Sequence, residues 1–331
     1  MADILQLLVA GLATGAIYAL VAIGFTLLWQ TSQTINFAQG EFVMLPAFFV
    51  LIGTGYFGLS FWPAVALATV VSVVVLGLLF KRLIVDPMMR HGVLPLVIAT
   101  IGLAIFFKEA VREFYGADAQ PFPPVVAATE VTVFGVALAL QSLVVLAISI
   151  AAVVALQLFL SGTRTGRCMQ ACAQNPTVAR LLGIPVERMI LYTFLINAAL
   201  VTLAAILITP IYLAKFTNGE WLGLYAFIAA IIGGFNQVRG AIVGGLLLGV
   251  IDNFAAAYLS SQYRMAIPLL ILIVVVLVRP QGLLGRIEER TVWGRALAGS
   301  RASSSRSRRD FSWPRRWHSS PTGSSFSACG R

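Results

Sequence analysis

The sequence predicts an all-α fold, a polytopic transmembrane bundle of eight to nine spans with kinked or broken helices. Of its 331 residues, 59% are hydrophobic and 11% are charged, whereas about a quarter of the residues in soluble domains are charged. The apolar runs are long and continuous, unlike the alternating segments of membrane barrels. In lipid only helices and closed barrels satisfy the backbone, so the continuous runs favour helices.

The spans can be placed one by one, because each needs about 20 predominantly apolar residues and fewer where a helix is broken inside the protein. The candidate spans lie at roughly 5–29, 41–53, 61–80, 93–113, 134–160, 190–213, 222–235, 241–259 and 265–278. The second, seventh and ninth of these are short, and the seventh and eighth could form one long broken helix, which leaves the count at eight or nine.

The positive residues predict the orientation. With nine spans, the loop carrying Lys81, Arg82 and Arg90, the polar loop 161–189, Arg239 and the segment after the last span all fall on one side. Cytoplasmic loops carry an excess of Lys and Arg. The sequence therefore predicts the N-terminus outside and the C-terminus inside, and an eight-span count would break this pattern.

The segment 287–331 differs from the rest. The segment from Arg286 onward contains ten arginines and three acidic residues, so it carries seven of the ten net positive charges. It is rich in Ser and Arg and has no periodicity, which predicts a disordered cytoplasmic tail. It could bind anionic lipid or be a readthrough end. Because the basic balance belongs to this tail, we expect no nucleic-acid partner.

The sequence contains few of the residue patterns that catalysis requires. No Gly-Lys pair occurs, so the chain has no phosphate-binding loop of its own, and HExxH and GxSxG are also missing. Three cysteines and two histidines give neither a disulfide framework nor metal-ligand spacing. We expect no catalytic residues, no metal and no cofactor.

The first informative polar stretch is Gln30–Glu41, which carries Asn36, Gln39 and Glu41 and no Lys or Arg. A carboxylate deep in a bilayer is expensive, so Glu41 must face water, a partner or the bundle interior. It could cap the next helix, where the dipole favours negative charge, or line a permeation path.

The second stretch is the loop 161–189. Thr165–Ala173 reads as a short helix, which Asn175-Pro176 breaks, and Thr177–Leu182 reads as a second helix that Gly183 ends. The pair is either a surface that another protein grips or a solvated amphipathic loop. Cys168 and Cys172 share one face of the first helix and are expected to pack.

The third stretch is Gly233–Asp252, in which paired glycines flank a polar turn. Asp252 here and Asn197 upstream lie within spans, where polar groups mark a pathway or an interhelical hydrogen bond. Glycines four residues apart predict close helix packing. They are Gly11 and Gly15, Gly240 and Gly244, and Gly245 and Gly249.

Together these stretches resemble the LivH-type permease subunit of branched-chain amino acid ABC importers. The resemblance covers about 1–286, the expected permease domain. It is carried by INFAQGEFVML at Ile35–Leu45, VIATIGLAIFF at Val97–Phe107, TGRCMQACAQNPTVARLLGI at Thr165–Ile184, GGFNQVRGAIVGGLLLGVID at Gly233–Asp252 and VRPQGLLG at Val278–Gly285.

The resemblance implies that 161–189 is the cytoplasmic loop that docks into the ATPase subunit. Gln170 and Thr177 depart from the family pattern, which has Arg and an acidic residue there. The matching positions are Gly166, Arg167, Ala171, Asn175, Pro176, Ala179, Gly183 and Ile184.

The resemblance also implies the assembly and its place. The partners would be a second permease subunit, two cytoplasmic ATP-binding subunits and a periplasmic or extracellular solute-binding protein, around a multi-pass subunit of the bacterial inner membrane. The translocation path candidates are Asn36, Gln39, Glu41, Asn197 and Asp252.

Other functions stay open at this point. The same architecture could carry urea or short amides. An ATP-independent channel or secondary transporter would predict inverted repeats with broken helices, and we find no convincing internal repeat in the sequence. A membrane enzyme lacks a catalytic cluster.

Overall fold

The computed structural model describes residues 2–89, 91–126, 130–133, 136–259 and 265–285. The described chain is a helical bundle, as predicted, with one small two-stranded ribbon. The tail 287–331 lies outside the described residues, and its disorder stays a prediction.

The bundle is formed by long apolar helices and a few short ones. In chain order they are α1 (Ala2–Ser32), α2 (Gln39–Gly55), α3 (Phe61–Met89), α4 (Val93–Tyr115), α5 (Leu140–Gly162), α6 (Arg164–Gln174), α7 (Pro176–Leu181), α8 (Val186–Tyr212), α9 (Asn218–Gly233), α10 (Val238–Tyr258) and α11 (Ala266–Val278). A helix occupies each predicted span.

Six helices in the described chain, namely α1, α3, α4, α5, α8 and α10, are long and apolar enough to cross a membrane. The predicted short spans are short here too: α2 has 17 residues, α9 has 16 and α11 has 13. A complete crossing needs about 20 residues, so helix length does not confirm the expected count of eight to nine spans.

Two predicted boundaries were wrong. The positions 81–89, expected in a loop, continue α3 through π-helical turns at Val73–Leu79 and Lys81–Val85. Lys81 extends the helix because its ammonium pairs with Asp86 one turn later, at 2.8 Å. The span expected at 134–160 begins only at Leu140, since β1 (Glu130–Val133) and β2 (Val136–Ala139) form an antiparallel pair in this β-branched stretch.

Helix α1 forms the centre of the core and packs against α5, α8, α9 and α10. Its glycines meet those of α10 directly: a Cβ on Gly15 would lie 2.8 Å from the Gly245 carbonyl oxygen, and one on Gly249 would lie 2.6 Å from the Gly11 oxygen. The predicted packing role of these glycines is confirmed. Such contacts matter in lipid, where apolar burial gives little net drive for helix association.

The segment after α11 returns to the end of α9. The amides of Leu283 and Leu284 donate to the carbonyls of Ile232 and Gly233, at 2.8 and 3.0 Å. Gly234 and Gly282 have φ values of +109° and +81°, which side chains rarely adopt. The glycine motifs at 233–240 and 278–285 are therefore two halves of one packed corner.

Candidate functional site

Two short helices begin inside the bundle, and their first turns touch. The first turn of α2 is buried, as are Asn218 and Gly219 at the start of α9, and a Cβ on Gly219 would lie 3.0 Å from the Glu41 Cα atom. Asn36 sets the start of α2, because its Oδ1 accepts a hydrogen bond from the Ala38 amide at 3.0 Å. Both helices are thus positioned by polar residues and glycine.

A reciprocal amide pair ties α2 to α8. Gln39 Nε2 donates to Asn197 Oδ1 at 2.7 Å, and Asn197 Nδ2 donates to Gln39 Oε1 at 3.0 Å. Both side chains are fully buried. Gly24 of α1 faces the pair, and any side chain there would overlap both amides. The pair satisfies polar groups that would otherwise be expensive to bury.

Glu41 lies where α2 and α9 cross. It is 5% exposed, and its Oε2 has no hydrogen-bond partner among the described residues. Its side chain fits only because residue 219 is glycine, since a Cβ there would lie 2.7 Å from the Glu41 carboxyl carbon. Beside the crossing, Lys108 of α4 pairs with Glu220 of α9 at 2.6 Å.

Asp252 lies beneath a cluster of aromatic rings. It is fully buried and accepts hydrogen bonds from the hydroxyls of Tyr18 and Tyr225, at 3.3 and 3.4 Å. Trp221 stands edge-on to both tyrosines, with ring centroids 6.5 and 5.9 Å away, and 5.1 Å from Tyr212. Asp252 therefore holds rings of two helices, Tyr18 of α1 and Tyr225 of α9.

A cavity of about 270 Å³ opens above this cluster, where α8 ends and α9 begins. Tyr212, Lys215, Asn218, Trp221 and Tyr225 line it. Our sequence reasoning did not single out any of these residues. The sequence could have indicated this cavity, because Lys215, Asn218 and Trp221 cluster at one short break between two spans.

The structure buries all five path candidates in this single chain. Gln39 and Asn197 join each other, and Asp252 joins two tyrosines, whereas Asn36 and Glu41 keep a buried polar atom without a hydrogen-bond partner in the described chain. Their role in the path stays a prediction, and the geometry gives three of them an interhelical bond.

An internal repeat that we had not recognised marks the two short helices. FAQGEF at Phe37–Phe42 begins α2, and FTNGEW at Phe216–Trp221 begins α9. Each has an aromatic residue, an amide, Gly, Glu and a second aromatic residue in register. Each follows a long helix, α1 or α8, and precedes a short one. The two hexapeptides can be recognised as a repeat because both lie at the start of a short helix.

The loop between α5 and α8 folds as two capped helices, α6 and α7, as the sequence predicts. Thr163 Oγ1 accepts from the Gly166 amide at 2.9 Å and caps α6. Asn175 Oδ1 accepts from the amides of Thr177 and Val178, at 3.0 and 3.1 Å, with Pro176 in the first turn of α7. Side-chain acceptors of this kind satisfy the free amides of a helix start.

The exposed surface of this loop includes some of the predicted docking positions, such as Arg167, Asn175 and Gly183, but not all of them. Gly166 and Ala179 are buried, and a Cβ on Gly166 would lie 2.6 Å from the Leu160 Cα atom. Apolar side chains point outward instead: Leu181 and Leu182 are 83% and 73% exposed, beside Val178. Positions 178, 181 and 182 have the spacing of one helix face, so the sequence alone could have indicated this apolar face.

The two cysteines of α6 pack, as predicted. Cys172 is buried, and this burial raises the pKa of its thiol above the usual range, so the thiol stays protonated at neutral pH. Among the described residues no group of three or more His, Cys, Asp or Glu could hold a metal ion.

Comparison with known proteins gives a consistent result. Residues 7–276 match the family described as branched-chain amino acid transport system / permease component. BraD of Pseudomonas aeruginosa, a high-affinity branched-chain amino acid transport system permease protein, is 33% identical over 300 residues, covering 87% of this chain and 98% of BraD. LivH of Escherichia coli, with the same description, is 33% identical over 302 residues, covering 87% and 97%.

A weaker likeness extends to a permease that carries another kind of cargo. The fructose import permease protein FruG of Bifidobacterium longum is 35% identical over 130 residues, which cover 37% of this chain and 38% of FruG. No solved structure matches the chain.

Proposed function

Because the chain belongs to the family of branched-chain amino acid transport system permease components, we propose that it forms half of the translocation path of an ATP-driven importer. Its cargo is a branched-chain or other small amino acid. The observation that carries this proposal is the continuous family match over residues 7–276, supported by relatives that align over nearly their whole length.

The complete importer contains further subunits. We place beside this multi-pass protein a second, different permease subunit, two cytoplasmic ATP-binding subunits and an external solute-binding protein, in a bacterial inner membrane. The missing phosphate-binding loop supports ATP hydrolysis on separate chains.

The mechanism is alternating access. Movement of the ATP-binding subunits reaches the path through α6 and α7, since α6 packs against α1, α5 and α8. At the α2–α9 crossing, a small shift would separate two helix starts that pack against each other. Packed helices of this kind have discrete arrangements rather than continuous deformation.

The docking surface is the apolar face of α7, formed by Val178, Leu181 and Leu182. A contiguous apolar patch at a polar surface marks a contact with protein or membrane, and we assign this one to the ATP-binding subunit. Ala171 and Ala179, which the sequence suggested, are not part of this exposed face: Ala179 is buried and Ala171 is half-buried.

Leu181→Asp tests this assignment. The carboxylate would have to be buried against the ATP-binding subunit, so we expect ATP-driven uptake to fall at least tenfold while membrane insertion stays normal. Uptake of radiolabelled leucine into cells or ATP-loaded vesicles measures it.

Gln174→Asp is the matched control, because it adds the same charge at an exposed position that belongs to α6 and not to the apolar face of α7. It should keep uptake near the unmodified level. Full uptake by Leu181→Asp would remove α7 from the coupling surface. Replacing Gly166 would be a poor test, since its packing against Leu160 would be lost first.

A second cargo class is favoured by one observation, the partial likeness to the fructose permease FruG. Urea and short amides are a third option for the same architecture. Competition by unlabelled valine, fructose or urea against leucine uptake separates these cargoes, and ATP depletion separates the importer from an ATP-independent channel.

A further inference from the structure

Lys215 stands out among the lysines. The chain contains three, and two of them are paired: Lys81 with Asp86 at 2.8 Å and Lys108 with Glu220 at 2.6 Å. Lys215 has no carboxylate partner within the described part of the chain, and it lines the cavity of about 270 Å³. This cavity therefore presents an uncompensated positive charge.

Three aromatic side chains line the same cavity as this charge. Trp221 and Tyr225 line the cavity with ring centroids 5.9 Å apart, and Tyr212 lies 5.1 Å from Trp221. The faces of such rings attract cations, and Trp does so best. One cavity thus offers a site for an anion and a site for a cation.

Hydrogen bonds hold two of the aromatic side chains that line the cavity, Tyr225 and Trp221, in place. Tyr225 donates to the buried carboxylate of Asp252 at 3.4 Å, and Trp221 Nε1 donates to Asn218 Oδ1 at 3.4 Å. Asn218 Nδ2 donates in turn to the Leu213 carbonyl at 2.6 Å. A preorganised wall loses less entropy when a ligand binds.

The cavity is not a general consequence of the hexapeptide repeat. In the first copy Phe42 is fully buried against Phe80, and Gln39 is joined to Asn197. In the second copy the equivalent residues, Trp221 and Asn218, face the cavity. The same motif is closed by packing at α2 and open at α9.

We propose that this cavity binds a small zwitterionic amino acid within the permease subunit itself. The carboxylate lies at Lys215 Nζ, the ammonium group lies against the rings of Trp221 and Tyr225, and the aliphatic side chain points toward Met265. The volume suits a small ligand, being just below that of sites for drug-sized molecules, about 300–1,000 Å³. This site rests on the proposed function and adds to it a place where the permease itself recognises its cargo.

Photo-crosslinking tests the site directly. The purified full chain in lipid nanodiscs is irradiated with a diazirine analogue of leucine, and labelled residues are mapped by mass spectrometry. We expect saturable labelling in the stretch 212–225 or at Met265, suppressed by excess leucine and weakly suppressed by leucinamide, which lacks the carboxylate. Labelling elsewhere, or none that saturates, would overturn the proposal.

Charge variants identify the role of Lys215. Lys215→Gln should raise the half-saturating concentration roughly 10- to 100-fold, the effect of one lost hydrogen bond to a charged group, whereas Lys215→Arg should retain most of the labelling. Leucinamide has no carboxylate, so it should compete no less strongly at Lys215→Gln than at the unmodified protein. Equal half-saturation of unmodified protein and Lys215→Gln refutes the carboxylate site.

Aromatic variants test the other half of the site. Trp221→Ala should weaken labelling at least tenfold, and Trp62→Ala, at an exposed position of α3, is the matched control and should not. Monodisperse elution in size-exclusion chromatography shows that each variant is folded. An unchanged Trp221→Ala would remove the aromatic wall from the site.

Failure of this inference and failure of the proposed function look different. If leucine uptake depends on ATP and on Leu181 while Lys215→Gln labels like the unmodified protein, the importer stands and the cavity site falls. If no amino acid is taken up with ATP, the proposed function itself falls.

Discussion

At the residue scale, most buried hydroxyls of this bundle donate to a carbonyl of their own helix, whereas Gln39, Asn197 and Asp252 form hydrogen bonds across helices. The Gln39–Asn197 pair is the clearest, because both amides are fully buried and bonded twice. Removing one partner leaves a buried amide unsatisfied, which costs about 1–3 kcal/mol. Replacing both with apolar side chains of similar size removes that penalty.

Asn197→Leu and Gln39→Met should therefore each lower the thermal unfolding midpoint of the detergent-solubilised protein. The double variant should be more stable than the sum of the single losses predicts, because no amide is left without a partner. Thermal unfolding followed by thiol-reactive dye or by aggregation measures this. Additive losses would show that the two amides act independently.

Glycine at the α2–α9 crossing is required by space rather than by backbone conformation. A Cβ at position 219 would run into the Glu41 carboxyl group and the α2 backbone. Elsewhere a helical glycine faces open space: Gly102 of α4 has nothing within 4 Å of an added Cβ. The same substitution should thus act in opposite directions at these two positions.

We expect Gly219→Ala to lower stability and leucine uptake, since overpacking costs about 1–3 kcal/mol. Gly102→Ala should be neutral or stabilising by up to ~1 kcal/mol, as alanine is the better helix former. Thermal midpoints of both variants, measured side by side, check this. A Gly219→Ala protein as stable as Gly102→Ala would mean that the crossing adapts.

At the element scale, helix starts determine where the polar groups lie. The hexapeptides at 37–42 and 216–221 each begin a short helix after a long one, which brings the first turns of α2 and α9 together. Broken helices with buried starts are typical of transport proteins, where irregular backbone is tolerated if protein covers it. The repeat alone does not distinguish importer classes; the family match does.

The helix α7 depends on its cap, because it has only six residues. Asn175→Ala removes the acceptor of two amides and should destabilise the helix by about 1 kcal/mol. Faster proteolytic cleavage within 175–184 and weaker ATP-driven uptake are the expected results. Asn175→Asp keeps the acceptor and is the control; equal cleavage of both variants would show that the cap is dispensable.

At the scale of the whole molecule, charge is distributed unevenly along the chain. Seven of the ten net positive charges lie from Arg286 to the end, beyond the family match at 7–276. The segment has few aliphatic residues with which to form a core.

Deleting residues 291–331 should leave leucine uptake within about twofold of the full chain, because the segment has the composition of a disordered tail. Uptake normalised to the amount of protein in the membrane fraction is the measurement. Lost uptake at normal membrane levels would give the tail a role in transport.

The sequence by itself determined the membrane class, the approximate positions of the apolar helices and the two capped helices of the 161–189 loop. These follow from local causes: apolar run length, Pro and Asn at helix starts, and glycine at helix ends. A lipid environment strengthens this determination, since it leaves the backbone few alternatives to helix.

Only the tertiary structure decided which polar residue meets which. Gln39 and Asn197 are 158 positions apart, and Tyr18 and Asp252 are 234 apart; no periodicity in the chain indicates such pairs. The exposed face of α7 and the cavity at Lys215 also depend on which side of a short helix the bundle covers. Burial is a property of the packed helices together, so local sequence could name the candidates but could not place them.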